Sequence, residues 1–98
     1  MKLKIEQNDM FKMISEHMKW VNSKGEIGSK AVFVDRRFEN VKFNNVKLRF
    51  AEFIRCDFEN VNFGNSDLRW STFVDCKNRR TCYDNANLNY AYIKNTKM

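Results

Sequence analysis

The chain places a large apolar residue at almost every fifth position from Phe33 onward, and this period is its dominant feature. Asn78 alone breaks the series. The members are Phe33, Phe38, Phe43, Leu48, Phe53, Phe58, Phe63, Leu68, Phe73, Asn78, Tyr83, Leu88, Ile93 and Met98. Two residues before each of them lies a small or β-branched residue, except at Arg36, and most positions between are polar. Each five-residue unit therefore offers one large and one small side chain to an interior.

A period of five fits neither a helix nor a straight strand. On an α-helix, five residues turn about 500°, so successive apolar side chains drift around the axis and form no stripe. On a strand, an odd step places the next side chain on the opposite face. The chain must therefore change direction once per unit, and it coils around an axis with neighbouring turns about 4.8 Å apart.

Four units show the repeat most clearly. They are Val41-Lys42-Phe43-Asn44-Asn45, Cys56-Asp57-Phe58-Glu59-Asn60, Ser66-Asp67-Leu68-Arg69-Trp70 and Ala86-Asn87-Leu88-Asn89-Tyr90. This pattern resembles the pentapeptide repeat protein family. The resemblance implies an all-β solenoid, a right-handed quadrilateral β-helix with twenty residues per coil. Residues 31–98 would then form about three and a half coils.

Residues twenty apart should stack in such a solenoid, and the sequence supports this. One interior column reads Phe33, Phe53, Phe73 and Ile93, and Leu48, Leu68 and Leu88 form another. Asn45, Asn65 and Asn85 are expected to form a bonded amide ladder at one corner.

Asn78 occupies an interior aromatic position and is followed by Arg79 and Arg80. A buried amide needs partners, so Asn78 either bonds backbone carbonyls or marks a distorted coil. This irregularity is interpreted as a tolerated departure from the repeat or as a functional bulge.

Residues 1–30 differ from the rest of the chain. Apolar side chains at helical spacing predict a helix over about residues 8–21, capped by Asn8 or Asp9. The segment resembles the short N-terminal helix of many small family members, which carries a His and a Trp, here His17 and Trp20. We expect this helix to cap the open end of the solenoid, with a partner-binding helix as the alternative. His17 is interpreted as a polar residue on this helix without a chemical role.

An aromatic ladder is predicted on the outside, because Phe50, Trp70 and Tyr90 are twenty apart at one corner. Arg49 and Arg69 flank it, and an outward aliphatic column formed by Val34, Ile54 and Val74 is expected beside it. So much aligned apolar surface is unusual on a monomer. It indicates a candidate partner surface comprising Phe50, Trp70, Tyr90, Ile54, Val74, Arg49 and Arg69, unless the N-terminal helix or a dimer partner covers it.

Reactive chemistry is not expected. Cys56 and Cys76 occupy small interior positions, Cys82 is outside, and the chain has one His and no metal-binding spacing. We therefore predict no catalytic residue, no metal and no cofactor, and hence no enzyme. The chain also has no apolar run long enough for a membrane span and no recognisable signal peptide, so we expect a cytoplasmic protein with no membrane partner.

Net charge discriminates among the functions that the resemblance suggests. Some family members mimic DNA and bind type II topoisomerases such as gyrase, but mimicry needs an acidic surface and this chain carries +6. Direct nucleic-acid binding is the other alternative, although the mixed charges favour no tight duplex DNA binding. The preferred hypothesis is a non-enzymatic protein–protein interaction module, such as a bacterial or phage modulator of a nucleic-acid-processing or defence enzyme, with an unidentified protein partner.

A homodimer is also expected. The last coil leaves interior side chains near solvent, and pairing two copies end to end would cover them. Members of the family often dimerise in this way. The candidate dimer end consists of Tyr83, Leu88, Ile93 and Met98. Sideways pairing through the aromatic ladder is the alternative.

Overall fold

The structure is a computed structural model that describes residues 2–98, and it contains one helix followed by a four-sided solenoid of about three turns. The elements are β1 (Leu3–Lys4), α1 (Gln7–Asn22), β2 (Val32–Val34), β3 (Arg36–Glu39), β4 (Glu52–Ile54), β5 (Asp57–Glu59), β6 (Thr72–Val74), β7 (Lys77–Arg79) and β8 (Tyr92–Lys94). No helix among the described residues is both long and apolar enough to cross a membrane.

Two parallel sheets form adjacent sides of the solenoid, in the orders β1-β3-β5-β7 and β2-β4-β6-β8. From β2 onward, partners are twenty residues apart, as in Phe33 opposite Phe53 and Phe53 opposite Phe73. The other two sides are held by single bridges, such as Asn62 with Cys82. The twenty-residue coil predicted from the sequence is therefore confirmed.

A corner ends each five-residue unit. Every fifth residue from Asp35 to Asn95 has a φ between 48° and 67°, in the left-handed region that few side chains tolerate. Eight of these thirteen residues are Asn or Asp, the side chains that best accept this conformation after Gly. The Asn residues at the corners therefore favour the left-handed backbone conformation that turns the chain. Side-chain amide hydrogen bonds join corners from Asn60 to Asn40 and from Asn95 to Asp75, and not within the predicted ladder of Asn45, Asn65 and Asn85.

Aromatic rings fill the interior. Rings of neighbouring coils stack with centroids 4.9 to 5.2 Å apart, and rings of neighbouring sides meet edge to face, as Phe53 does with Phe58. Leu48 and Leu68 are completely buried on the remaining side. Burial of the repeated residue thus holds the coils together around a continuous apolar core.

The N-terminal segment differs from the prediction at its start. Leu3 and Lys4 pair with β3 and extend its sheet by one strand. The sequence does not predict this strand, because two residues are too few to show a period. The Ile5 N–H donates to the Arg37 carbonyl at 2.9 Å, and the chain turns into α1 immediately afterwards. Glu6 therefore takes the N-cap position, and the prediction of Asn8 or Asp9 was wrong.

Gly28 fixes the loop between α1 and the first coil against the helix. Its φ is 79°, and a Cβ there would lie 2.3 Å from the Glu16 carbonyl oxygen and 2.7 Å from the Trp20 nitrogen. The next residue, Ser29, donates its N–H to the same Glu16 carbonyl at 3.1 Å. Only glycine allows this close approach.

We predict that Gly28→Ala lowers the free energy of unfolding by about 2–3 kcal/mol, because backbone atoms cannot yield to the new methyl group. Gly64→Ala is the matched control. Its φ lies outside the left-handed range, and the one close neighbour of its Cβ would be the Asn62 side-chain oxygen at 2.9 Å, with the Asp84 carbonyl oxygen at an ordinary 3.6 Å, so we expect a cost of about 1 kcal/mol. Chemical denaturation measures both values, and equal costs would contradict the packing described here.

Candidate functional site: an aromatic corner of the solenoid

The aromatic ladder of Phe50, Trp70 and Tyr90 lies where the backbone least favours large side chains. The Ala51 N–H bonds the Leu48 carbonyl, which makes residues 48–51 a tight turn with Phe50 at its third position. The three aromatic residues have φ values of 67°, 57° and 65°. Because only this third position has a positive φ, the turn is of type II, where Gly or Asn is usual. The chain keeps an aromatic residue at this strained position in three successive coils.

The three rings form one stack along the solenoid. Ring centroids lie 5.4 Å apart between Phe50 and Trp70 and 5.2 Å apart between Trp70 and Tyr90, and the planes differ by 9° and 12°. Trp20 of α1 meets the Phe50 ring edge on at 5.8 Å. The residues are 41%, 43% and 76% exposed in chain order. The N-terminal helix thus covers only one end of the ladder and leaves its outer edge accessible.

Two arginines flank the ladder and share one carboxylate. Arg49 donates to Asp67 at 2.5 Å, and Arg69 donates to the two oxygens of the same carboxylate at 2.9 and 2.7 Å. The Arg69 guanidinium also lies 5.9 Å from the Trp70 ring centroid. Asp67 therefore fixes both arginines beside the rings, while it neutralises only one of their two positive charges.

The aliphatic column of Val34, Ile54 and Val74 lies on the side of the β2-β4-β6-β8 sheet, but not directly beside the aromatic ladder. Another outward column, which includes Glu52 and Thr72, separates the two. Val34 is exposed, and Ile54 and Val74 are half-buried. The expected adjacency was wrong because each strand carries two outward positions and the aliphatic one is farther from this corner.

His17 joins the helix to the first two coils. Its ring is completely buried, it accepts the Ala31 N–H at Nδ1 (2.9 Å), and Nε2 lies 2.8 Å from the Arg49 carbonyl oxygen. Both bonds form only when the ring is neutral and carries its proton on Nε2. His17 therefore has a structural role, and its interpretation as a polar residue of this helix did not include these two backbone contacts. The sequence signal for the burial of His17 was its position about one turn before Trp20, on the helix face that packs against the solenoid.

Asn78 lies inside the last full coil with its polar groups satisfied. Its amide donates to the Lys97 carbonyl at 2.8 Å and accepts the Tyr83 hydroxyl at 2.7 Å. It keeps its register opposite Phe58, so the coil is not distorted there. Burial raises the pKa of Tyr83 well above its usual value. The two arginines after Asn78 are exposed, and Arg80 pairs with Glu59.

The residues of the candidate dimer end lie around this last coil. Tyr83 and Leu88 are half-buried, while Ile93 and Met98 are 39% and 44% exposed. Ile93 is the last member of the interior column that contains Phe73, and the two residues are partners in the sheet. This region therefore exposes apolar surface at a second place on the molecule, separate from the ladder's upper end at Phe50.

The remaining potentially reactive side chains contribute to the fold. Cys56 and Cys76 are buried and donate their S–H groups to the carbonyls of Phe33 and Phe53 in the preceding coil. Contact with Cys76 and burial raise the pKa of the Cys56 thiol. Within residues 2–98, no group of three His, Cys, Asp or Glu side chains is arranged to hold a metal ion.

Several ion pairs lie on the β1-β3-β5-β7 side. Lys2 contacts Asp57 at 2.8 Å and Lys4 contacts Glu39 at 3.6 Å. Arg37 approaches Glu39 to 2.8 Å, an ion pair without hydrogen-bond alignment. Carboxylates thus interrupt the positive charge on this side, which leaves no unbroken cationic track across it.

Comparison with known proteins gives a family match. The family model for pentapeptide repeats matches residues 37–76 in eight copies. The same corners and coil register extend beyond this stretch, from Asp35 to Asn95. No curated protein matches the chain.

We predict that the His17 contacts make stability depend on pH. Burial lowers the pKa of His17 below its ordinary value of 6.5. As the pH falls, the imidazole therefore becomes protonated in the unfolded chain before it does in the folded protein. The stabilisation is complete above pH 6.5 and decreases as the pH falls below that value, by up to about 1.4 kcal/mol per unit. Urea denaturation between pH 7.5 and the onset of carboxylate protonation, at about pH 5, measures this slope.

The matched control is His17→Gln. It removes the only histidine of the chain, so the variant should be less stable but lose this slope. A wild-type protein with the same stability throughout that pH range would show that His17 does not hold the helix as a neutral ring.

Proposed function

We propose that the chain is a non-enzymatic module that binds a protein partner through the aromatic ladder and the adjacent Arg49 and Arg69. The match of residues 37–76 to the pentapeptide repeat family supports this proposal, because pentapeptide repeat proteins are generally protein-interaction modules. The observation that carries this proposal is the stack of three exposed rings on strained turns. Backbone strain of this kind persists where the surrounding structure compensates for it, often at functional sites.

The composition of this surface supports a protein partner. Trp, Tyr and Arg are the residues that most often dominate the binding energy of protein interfaces, and here they occur together. The ladder also lies at the corner of two rigid sides, so binding would order little backbone. The specific role that we propose is a bacterial or phage modulator of a nucleic-acid-processing or defence enzyme.

The two nucleic-acid alternatives fit this surface less well. DNA mimicry requires a negative rod, whereas the net charge is +6. Tight duplex binding requires a continuous row of free cations, whereas carboxylates pair with Lys2, Lys4 and Arg37 on the most charged side. We therefore propose that the chain does not bind duplex DNA tightly.

The experiment compares proteins captured from a bacterial lysate by wild type and by Trp70→Asn. Asn suits the left-handed corner, as in Asn65 and Asn85, so this change removes the central ring while preserving the turn. Phe11→Ala is the control, because it removes another exposed aromatic ring, 57% exposed, from a helix position away from the ladder. Quantitative mass spectrometry measures the captured proteins.

We predict a protein that wild type and Phe11→Ala capture equally and that Trp70→Asn captures at less than about a tenth of that level. Circular dichroism must show that both variants are folded. A folded Trp70→Asn variant that captures the same proteins as wild type would contradict the proposed surface.

We also propose that two copies pair end to end through Tyr83, Leu88, Ile93 and Met98, because these side chains expose apolar surface around the last coil. Light scattering at high micromolar concentration should show a dimer that Ile93→Asp dissociates, since a buried carboxylate is costly. A strict monomer would rule out pairing. A dimer that survives Ile93→Asp but not Trp70→Asn would place the interface at the ladder instead.

A further inference from the structure

We propose that the partner segment that binds the aromatic ladder is an amphipathic, acidic α-helix lying along the solenoid axis. This inference rests on the proposed function and goes further, since it names the secondary structure and the charge of the bound segment. Three observations carry it: the spacing of the rings, the parts of the rings that remain exposed, and the charge beside them.

The ring spacing matches the repeat of a helix. The two steps of the ladder, 5.4 and 5.2 Å, together span about the 10.5 Å that seven helical residues rise. Side chains at positions i, i+3 or i+4, and i+7 of a helix would therefore face Phe50, Trp70 and Tyr90 in turn. In an extended segment, side chains on one face repeat at about 6.7 Å, so such a segment loses register within two steps.

The rings offer their edges and not their faces. Adjacent rings cover each other almost in parallel, and Trp20 packs against Phe50 at the upper end. A nucleobase or a sugar needs an open ring face, and within residues 2–98 only the lower face of Tyr90 has no ring against it. Ring edges carry partial positive charge and suit the aliphatic side chains and acceptor groups of a protein segment.

A cationic flank borders the ladder on one side. Lys47 is exposed and lies in register with Asp67, which Arg49 and Arg69 share. Three cations and one carboxylate therefore lie on this side of the rings. An acidic stripe beside the apolar stripe of the bound helix would complement this flank, and the net charge of +6 would attract such a partner from a distance.

A second copy of this chain does not supply the helix. The apolar face of α1 already covers the first coil through Met10 and His17, both buried. Its outer positions include Lys12 and Lys19, which would repel the cationic flank. A separate protein with an acidic amphipathic helix is therefore the occupant that the surface fits.

The test is selection from a displayed library of short helix-forming peptides with randomised side chains, performed on the intact chain. We expect enriched peptides with apolar residues at the i, i+3 or i+4, i+7 spacing and with Glu or Asp along one side of that stripe. Their affinity, measured by fluorescence anisotropy, should fall at least about tenfold in Trp70→Asn and remain unchanged in Phe11→Ala.

A matched pair of charge reversals tests the cationic flank. Lys47→Glu and Lys42→Glu change the net charge equally at two exposed positions on different sides of the solenoid. We expect Lys47→Glu to weaken an enriched acidic peptide about three- to fivefold and Lys42→Glu to leave its affinity unchanged. Equal weakening by the two variants would overturn the assigned flank.

The outcomes separate this inference from the proposed function. Peptides that depend on Trp70 but lack the helical spacing or the acidic stripe would overturn the helix and leave the interaction surface in place. If no enriched peptide needs Trp70 for binding but capture of a lysate protein does, the helix is likewise overturned and the interaction surface is retained. If neither peptides nor lysate proteins distinguish Trp70→Asn from wild type, both proposals fail.

Discussion

The left-handed corner that closes every five-residue unit is the constraint on which the rest of the structure depends. It turns the chain often enough for one large side chain per unit to point inward, and it recurs from Asp35 to Asn95 with little variation in φ. A coil of four units then brings equivalent residues together twenty positions apart. Backbone bonds between coils, such as Phe63 N–H to the Cys82 carbonyl, link each turn to the next.

This constraint also separates structural from functional positions. Asn and Asp occupy most corners because the backbone conformation favours them, so those residues need no further explanation. Aromatic residues at Phe50, Trp70 and Tyr90 oppose that preference in three successive coils. Stacking among the rings offsets part of the strain, and the same stack creates the accessible edge that we propose as a binding surface.

The repeat made most of the solenoid predictable from the sequence. The interior columns, the twenty-residue register and the position of the aromatic corner all follow from a period that is visible without coordinates. The start of the chain was less predictable. Leu3–Lys4 forms a strand only because the edge above β3 accepts it, and His17 is buried only because Ala31 and Arg49 meet its ring.

The sequence could name the aromatic residues and arginines of the candidate site, but it could not give their arrangement. The sequence placed Arg49 and Arg69 beside the rings, yet the Asp67 carboxylate that joins them is two residues from Arg69 and eighteen from Arg49. The separation of the aliphatic column from the ladder depends on how many outward positions one strand presents. These are properties of the folded surface, whereas the period reports only which residues face inward.

Nuclear magnetic resonance of the free protein can determine whether strained corners align three aromatic rings into one stack. We expect nuclear Overhauser contacts from the Trp70 ring to both the Phe50 and the Tyr90 rings, together with the strong intraresidue contact between N–H and Hα that a positive φ produces at Trp70. A Trp70 with a negative φ, or a ring without contacts to its two neighbours, would contradict this arrangement.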